Sequence, residues 1–294
     1  MTDFLHAVGF GLVTASILAL ATVAISLQFS VTSIPNLAQG EFMMMGAYGG
    51  LVVQSVIQNV IVEALAAVVV GAAVSWAVYR FLLQPFVRAG TRNTTLLVVT
   101  LGVSLILQNV LLAVFGGSYL QLKVPASAPI TVGPFLWTIA DVIIIVAALV
   151  SLSVVHIVLR YTKFGKSQRA VADNPELARV TGINSGQVIR LTWLWAGAMS
   201  GLGGFVLGAQ IGGLEPSLGF QFLLVVFAAA VVGGIGQPYG AMLGALLIGI
   251  AMEVSAAYIP ADYKQGVAFA ALILTLLFRP NGLVPSRSRI VAEA

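Results

Sequence analysis

The sequence predicts an all-α polytopic membrane protein: a helix bundle with 8–9 transmembrane helices, some of them broken or re-entrant. Three observations predict it. Apolar residues make up 59% of the 294 positions and charged residues 8%, against about 25% charged in a soluble globular domain. That leaves too little polar surface to cover a water-soluble particle of this size. The mean hydropathy is +1.03. Finally, the apolar residues fall into runs close to the ~20 residues that cross roughly 30 Å of hydrocarbon at 1.5 Å per residue. Residues 1–294 read as a single transmembrane domain, with one polar cytoplasmic segment, 160–190, inside it.

In order, the candidate spans are 7–27, 42–58, 60–83, 94–116, 137–159, 191–211, 220–236, 240–258 and 265–279. The opening "MTDFLHAVGF" has no Lys or Arg. A secretory signal wants a positive start, so 7–27 is read as a retained span despite the A-x-A at Ala19–Ala21. The runs are apolar on all faces, so length rather than periodicity defines them. Two are short and Gly-flanked, 42–58 after "SIPNLAQGEFMMMGAYGG" and 220–236 before "GGIGQPYGAMLGALLIG". Pro and Gln beside small residues in both places is the weak echo expected of two repeats that each contribute a broken helix. Close helix packing through Gly and Ala is the plainer reading.

Charge sets the orientation. Arg80, Arg88 and Arg92, then Arg160, Lys163, Lys166, Arg169, Arg179 and Arg190, then Arg279, Arg287 and Arg289 fall in three loops, and placing these inside makes 12 of the 14 basic residues cytoplasmic. Only Lys123 and Lys264 are then outside. Nine spans put the N-terminus outside and the C-terminus inside; if 42–58 re-enters, eight spans put the N-terminus inside. The basic residues form no stripe interleaved with aromatics, so nucleic acid is not an expected partner. The sequence has no cysteine, and its two histidines, His6 and His156, lie far apart, which excludes disulfides and leaves no metal-ligand cluster.

The polar segment "RYTKFGKSQRAVADNPELARVTGINSGQVIRL" holds six basic and two acidic residues. Its "FGKS" is no P-loop: the position five residues before the glycine is Arg160 rather than Gly, and no strand precedes it. The remainder reads as two short helices and a turn. Asp173 or Asn174 caps a helix that begins at Pro175, with Glu176 near its positive end. Gly182 terminates it in the left-handed region, followed by apolar Ile183. Asn184 with Gln187 resembles a capping box for a helix that runs through Arg190 into the sixth span. Leu177 and Val180 offer an apolar face, so the segment is a docking surface rather than a slack loop.

Four blocks carry a resemblance: "IPNLAQGEFMMMGAYGG", "RAVADNPELARVTGINSGQVIRLTWLWAGAMSGLGG", "VVGGIGQPYGAMLGALLIGIAMEV" and "FAALILTLLFRPNGL". In this order, spanning 34–284, they resemble the branched-chain amino acid permeases of ABC importers, and most of all the first of the two paired permease types. Urea and amide importer permeases are close relatives, so the match leaves the substrate open. The ending "RPNGLVPSRSRIVAEA" carries a basic tail beyond the shared pattern. The resemblance implies a translocation subunit in the bacterial inner membrane. Its partners would be the lipid bilayer, a second homologous permease, two cytoplasmic ATPases that bind ATP and Mg, and a periplasmic substrate-binding protein. It implies no cofactor in this chain, no enzymatic activity of its own, and an ATPase-coupling role for 160–190, with Arg169, Asp173, Asn174, Pro175, Glu176, Leu177 and Gly182 as the candidate residues.

The candidate substrate-pathway residues are Asn36, Gln39, Gly40, Glu41 and Gly46. Glu41 stands at the mouth of a short Gly-rich helix, and an acid at bilayer depth is costly unless paired or hydrated. It lines a pathway, meets a substrate amine, holds a basic residue of a partner, or stabilises a helix start. Asn36 and Gln39 can hydrogen-bond a zwitterion, whereas Gly40, Gly46, Gly49 and Gly50 shape the backbone. Glu63, Asp141, Glu215 and Glu253 map to outer ends, where solvation accounts for them; Glu215 could also meet a binding protein. Trp76, Trp137, Trp193 and Trp195 read as interfacial anchors, and Met43–Met45 as adaptable packing. A stand-alone secondary transporter or channel would want ionisable groups deep in the bundle, and a membrane enzyme a catalytic dyad there; the acids cluster at span ends instead.

Overall fold

The computed structural model describes residues 2–123, 130–132 and 135–284; Arg287 and Arg289 of the basic tail lie outside them. The chain is a helix bundle. Helix α1 spans Thr2–Thr32, α2 Gln39–Gln54 and α3 Val60–Ala77; α3 runs on through a π-helical stretch, Val78–Leu83, into α4, Gln84–Arg88. Then come α5 Asn93–Phe115, α6 Ile139–Tyr161, α7 Lys163–Asp173, α8 Pro175–Val180 and α9 Ser185–Ile211. Last are α10 Leu218–Gly233, α11 Pro238–Ala256 and α12 Lys264–Phe278. Two small antiparallel ladders cover one end: β1 (Leu120–Gln121) with β4 (Gly213–Leu214), and β2 (Ile130–Val132) with β3 (Phe135–Trp137).

Seven helices among the described residues are long and apolar enough to cross a bilayer, α12 being counted together with the 3-10 turn Ala261–Tyr263 that leads into it, 18 residues in all. The two short runs foreseen from sequence are the exceptions. α2 and α10 have 16 residues each, about 24 Å at 1.5 Å per residue, short of a ~30 Å core. Each follows a non-helical stretch that holds a proline, Pro35 or Pro216. Counted with α2 and α10, the helices of the described residues nevertheless make nine passes along the bundle. α1 starts at the end where Gly9 packs on Phe135 and Trp137, and finishes at the end where Val31 packs with Val171, Ala178 and Val188. The start of α1 is therefore opposite the basic end, as the nine-span reading requires.

The helices form two inverted halves. α1 runs antiparallel to α11, with Ala15 against Gly249 and Phe29 against Gly236. α9 runs antiparallel to α3, with Gly201 against Ala67 and Gly197 against Ser75. The set α1, α2, α3, α5 is thus repeated upside down by α9, α10, α11, α12, an arrangement found in transporters with internal repeats. α6–α8 link the halves. The structure corrects the sequence pairing of "SIPNLAQG" with "GGIGQPYG". The latter starts the full-length α11 at the basic end, and the true counterpart of the first motif is Glu215–Gly219 ahead of α10.

Lipid is as apolar as these side chains, so close packing rather than water exclusion joins the helices. Glycine makes it feasible: a Cβ on Gly46 would run into the Gly201 backbone, and one on Gly71 into Gly197 and Gly201. Several acids prove to be partnered rather than solvated. Glu63, only 2% exposed, accepts from Gln54 Nε2 at 2.8 Å; Gln54 also exchanges hydrogen bonds with the Lys123 backbone. Asp141 closes a capping box with Thr138. Glu253 pairs with Lys264 at 2.7 Å and accepts from Thr14 at 2.9 Å. Glu215 accepts from Ser217 at 2.6 Å. At the bundle's outer end packing removes water, so each carboxylate needs a donor.

The basic end is expected to face the cytoplasm. Ser167 lies on α7 at that end, and the chain has no native cysteine. Cysteine introduced at Ser167 should resist an impermeant maleimide added to intact cells and react in inverted vesicles. Labelling in intact cells would reverse the orientation.

Candidate functional site: the half-helix junction and the α7–α8 segment

The starts of α2 and α10 meet inside the bundle. Gly40 and Gly219 touch backbone to backbone, and a Cβ on either would collide with the carbonyl oxygen of the other. The depth follows from Glu41, next to this contact. Its Oε1 accepts from Ser104 at 3.4 Å, and Ser104 is the middle residue of α5. The junction therefore sits near mid-membrane, with α2 leading to one surface and α10 to the other.

A network of neutral side chains holds the junction. Asn36 Nδ2 donates to Gln28 Oε1 at 2.8 Å and to Gln39 Oε1 at 3.4 Å. Gln39 Nε2 donates to Ser200 Oγ at 2.5 Å, and Gln28 Nε2 to Ser75 Oγ at 3.4 Å. Ser75 Oγ donates to the Trp193 carbonyl at 2.7 Å, and the Leu37 amide to Thr100 Oγ1 at 3.2 Å. All these polar side chains are buried. Satisfied networks of this kind fix one geometry, and this one ties α1, α2, α3, α5 and α9 together. Asn36 and Gln39 are thus brought to the junction as expected, but their amides hold the helices.

Glu41 differs. It is fully buried, and its Oε2 has no hydrogen-bond partner. The single ion pair among the described residues is Lys264–Glu253, far from it. Gly40 and Gly46 act through close backbone approach, at the Gly219 contact and at the Gly201 seam respectively. Toward the basic end an aromatic cluster lies beside the network. Tyr79 stacks on Trp193 at 5.0 Å between ring centroids, and Phe42 meets Trp193 edge-on at 6.4 Å. Tyr79 sits on the π-helical stretch, a local widening that often marks function. Trp193 is fully buried, so it is not an interfacial anchor: α9 turns that face toward α3 rather than lipid.

Sequence reasoning missed Gln28, Ser75, Ser200, Trp193 and Gly219. The signal for Gly219 was faint: a proline precedes a glycine at the start of both short helices, but at different spacings, Pro35 to Gly40 and Pro216 to Gly219.

At the basic end, the "FGKS" residues begin α7, which was not foreseen. Gly165 donates its N–H to Thr162 Oγ1 at 3.1 Å, and its Cα faces the Val158 and Leu159 carbonyls. Arg169 reaches back to the Leu159 carbonyl, which closes the α6–α7 corner. Asp173 ends α7, and Asn174 is the cap of α8: its Oδ1 accepts from the Glu176 and Leu177 amides at 3.0 and 2.9 Å. Asp173 is excluded as the cap because Asn174 already has the extended backbone a cap needs. Pro175 opens α8, and Gly182 stops it at φ +84°, with the Ile183 amide donating to the Ala178 carbonyl at 3.0 Å. Asn184 accepts from the Gln187 amide at 3.1 Å and starts α9. Ala178 is buried against Val31, Val171 and Val188, whereas Leu177 and Val180 are 61% and 84% exposed. Ser185 Oγ bonds the Pro175 carbonyl at 3.2 Å, so α8 is fixed to the first turn of α9, the helix that carries Trp193 and Ser200 to the junction.

Residues 7–276 match the family model described as the permease component of branched-chain amino acid transport systems. The chain is 31% identical to the high-affinity branched-chain amino acid transport system permease protein LivH of Escherichia coli K12, over 96% of this chain and 95% of that protein. It is 29% identical to the corresponding permease BraD of Pseudomonas aeruginosa, over 93% of each. A probable LivH of Methanocaldococcus jannaschii is 27% identical over 92% of this chain and 90% of its own. No solved structure matches significantly.

Proposed function

From the premise that the chain belongs to the branched-chain amino acid transport permease family, and is a permease subunit of an ABC importer, we propose that it carries branched-chain or other small amino acids across the bacterial inner membrane. Its partners in this reading are a second homologous permease, two cytoplasmic ATPases that hold ATP and Mg, and a periplasmic binding protein that delivers the cargo. The single observation that carries the reading is α8: a capped, anchored helix at the basic end whose Leu177 and Val180 are largely exposed. Such a face suits a groove on an ATPase. Movement of α8 passes along α9 to Trp193 and Ser200, and so to the junction, where the Tyr79–Trp193–Phe42 cluster closes the way to the basic end.

The test is reconstitution. The permease pair with its ATPases in liposomes, with binding protein outside, should accumulate leucine, isoleucine or valine only when ATP is supplied to the ATPase side. The purified chain alone should show no saturable ATP binding. ATP binding by the isolated chain, or uptake that ignores ATP, would refute the assignment and favour a self-sufficient transporter.

A further inference from the structure

Between α3 and α9 the surface of the bundle opens into a groove of about 550 Å³. Val69, Ala72 and Trp76 of α3 form one wall, Leu194, Trp195 and Ala198 of α9 the other, and both walls are apolar. The groove follows from how the two helices join. Gly71, Gly197 and Gly201 bring their backbones together, and the alanines beside that seam leave space that longer side chains would fill. On its other face α3 meets α5, where Val74 and Val78 pack with Leu96 and Val103.

One end of the groove is charged. Leu194 and Trp76 are each followed, one turn nearer the basic end, by an arginine on the same helix face: Arg190 on α9 and Arg80 after α3. Ala198 is the middle residue of α9, and Arg190 stands eight residues from it, about 12 Å at 1.5 Å per residue. Half of a ~30 Å hydrocarbon core is little more than that, so the long side chain reaches headgroup level. Tyr79, next to Arg80, is within electrostatic reach of Arg190, which draws the two arginines to one place. Both are half-buried. Arg80 donates to Gln84 Oε1 at 3.3 Å and lies 5.9 Å from the centre of the Phe81 ring. Arg190 makes no hydrogen bond or ion pair among the described residues, and Asp173 and Glu176, the acids of that end, pair with neither arginine. Two half-buried guanidinium groups without an acid call for an anion.

An apolar slot headed by an anion site has the chemistry of a lipid. We propose that the α3–α9 groove binds an anionic phospholipid of the leaflet at the basic end, with an acyl chain against Trp76 and Trp195 and the headgroup phosphate on Arg80 and Arg190. Basic pockets between transmembrane helices favour such headgroups. A helix of a partner subunit could fill the apolar walls, but it would have to carry an acid into the membrane to meet the arginines, and that is costly.

The two tryptophans report occupancy, because bromine on an acyl chain quenches indole fluorescence on contact. The purified chain, and separately the assembled permease–ATPase complex, is placed in phosphatidylcholine vesicles with rising fractions of brominated phosphatidylglycerol or brominated phosphatidylcholine. The groove signal is the part of the quenching that Trp76→Phe with Trp195→Phe removes. In both preparations brominated phosphatidylglycerol should produce it at an at least about fivefold lower fraction, the weight of one arginine at an anionic surface. Arg80→Gln with Arg190→Gln should abolish that preference while both tryptophans remain. Arg160→Gln, at the same end on α6, should leave it intact. Equal quenching by the two lipids, a preference that survives the double arginine change, or one lost as fully in Arg160→Gln would overturn the site. A preference present in the chain and lost in the complex would mean that a partner subunit fills the groove, and the lipid reading falls. The headgroup comparison is made with both arginines in place, so it decides even if the double arginine variant does not fold.

Discussion

Leu177→Asp is expected to release the ATPases from the complex and reduce uptake at least about tenfold, the effect of more than ~1.4 kcal/mol lost at an interface, while the permease remains in the membrane. Leu177 is 61% exposed on α8, and its neighbour Ala178 holds the helix to Val31, Val171 and Val188 from the other side. A charge at 177 therefore burdens only the outward face. Glu176→Lys acts on the same face, and also places a cation at the positive end of the helix. Gly182→Val works differently. Gly182 lies at φ +84°, and a Cβ added there would meet no atom within 4 Å, so the cost is backbone strain alone, about 1–2 kcal/mol, confined to the end of α8. All three variants should uncouple ATP hydrolysis from transport or lose the ATPase. The measurement is ATPase retained on the purified complex beside uptake by the same variants. Normal retention and uptake in all three would mean that α8 couples nothing.

Gly201→Leu should have the largest effect on stability. Gly201 lies where α2, α3 and α9 cross: Gly46 approaches its Cα, and its own side faces the Ala67 carbonyl. A leucine there has no neighbouring side chain to displace, only backbone. Overpacking costs about 1–3 kcal/mol where side chains can yield, and here the seam must open and drag the Ser75–Trp193 and Gln39–Ser200 bonds with it. Little folded protein should be recovered after detergent extraction. Gly102→Leu is the control, since Gly102 on α5 has nothing within 4 Å of where a Cβ would stand and should be recovered at wild-type level. Size-exclusion recovery and thermal unfolding of the two variants decide the matter. Equal recovery would show that the seam is not closed in the native protein.

The two outcomes depend on different kinds of information. α8 is local: Asn174, Pro175, Gly182 and Asn184 act on amides and carbonyls within a few residues of themselves, so cap, start and stop could be read along the chain. The glycine seam is long-range. Its partners lie far apart in sequence, and in runs apolar on every face no periodicity marks which side meets a helix and which meets lipid.

By itself, then, the sequence determined the order of the apolar runs, marked those at 42–58 and 220–236 as short while leaving eight or nine spans open, and gave the form of the segment before α9. Each follows from length, composition or local hydrogen bonding. Only the tertiary structure decided the rest. It paired the start of α2 with Gly219 rather than with the motif after α10, placed Trp193 in the core, and gave Glu63, Asp141 and Glu253 partners. It also set Glu41 level with the middle of α5. The reason is physical. In a uniformly apolar chain the depth and facing of a residue are fixed by which backbones can approach most closely, and that is a property of pairs of helices, visible only once both are in place.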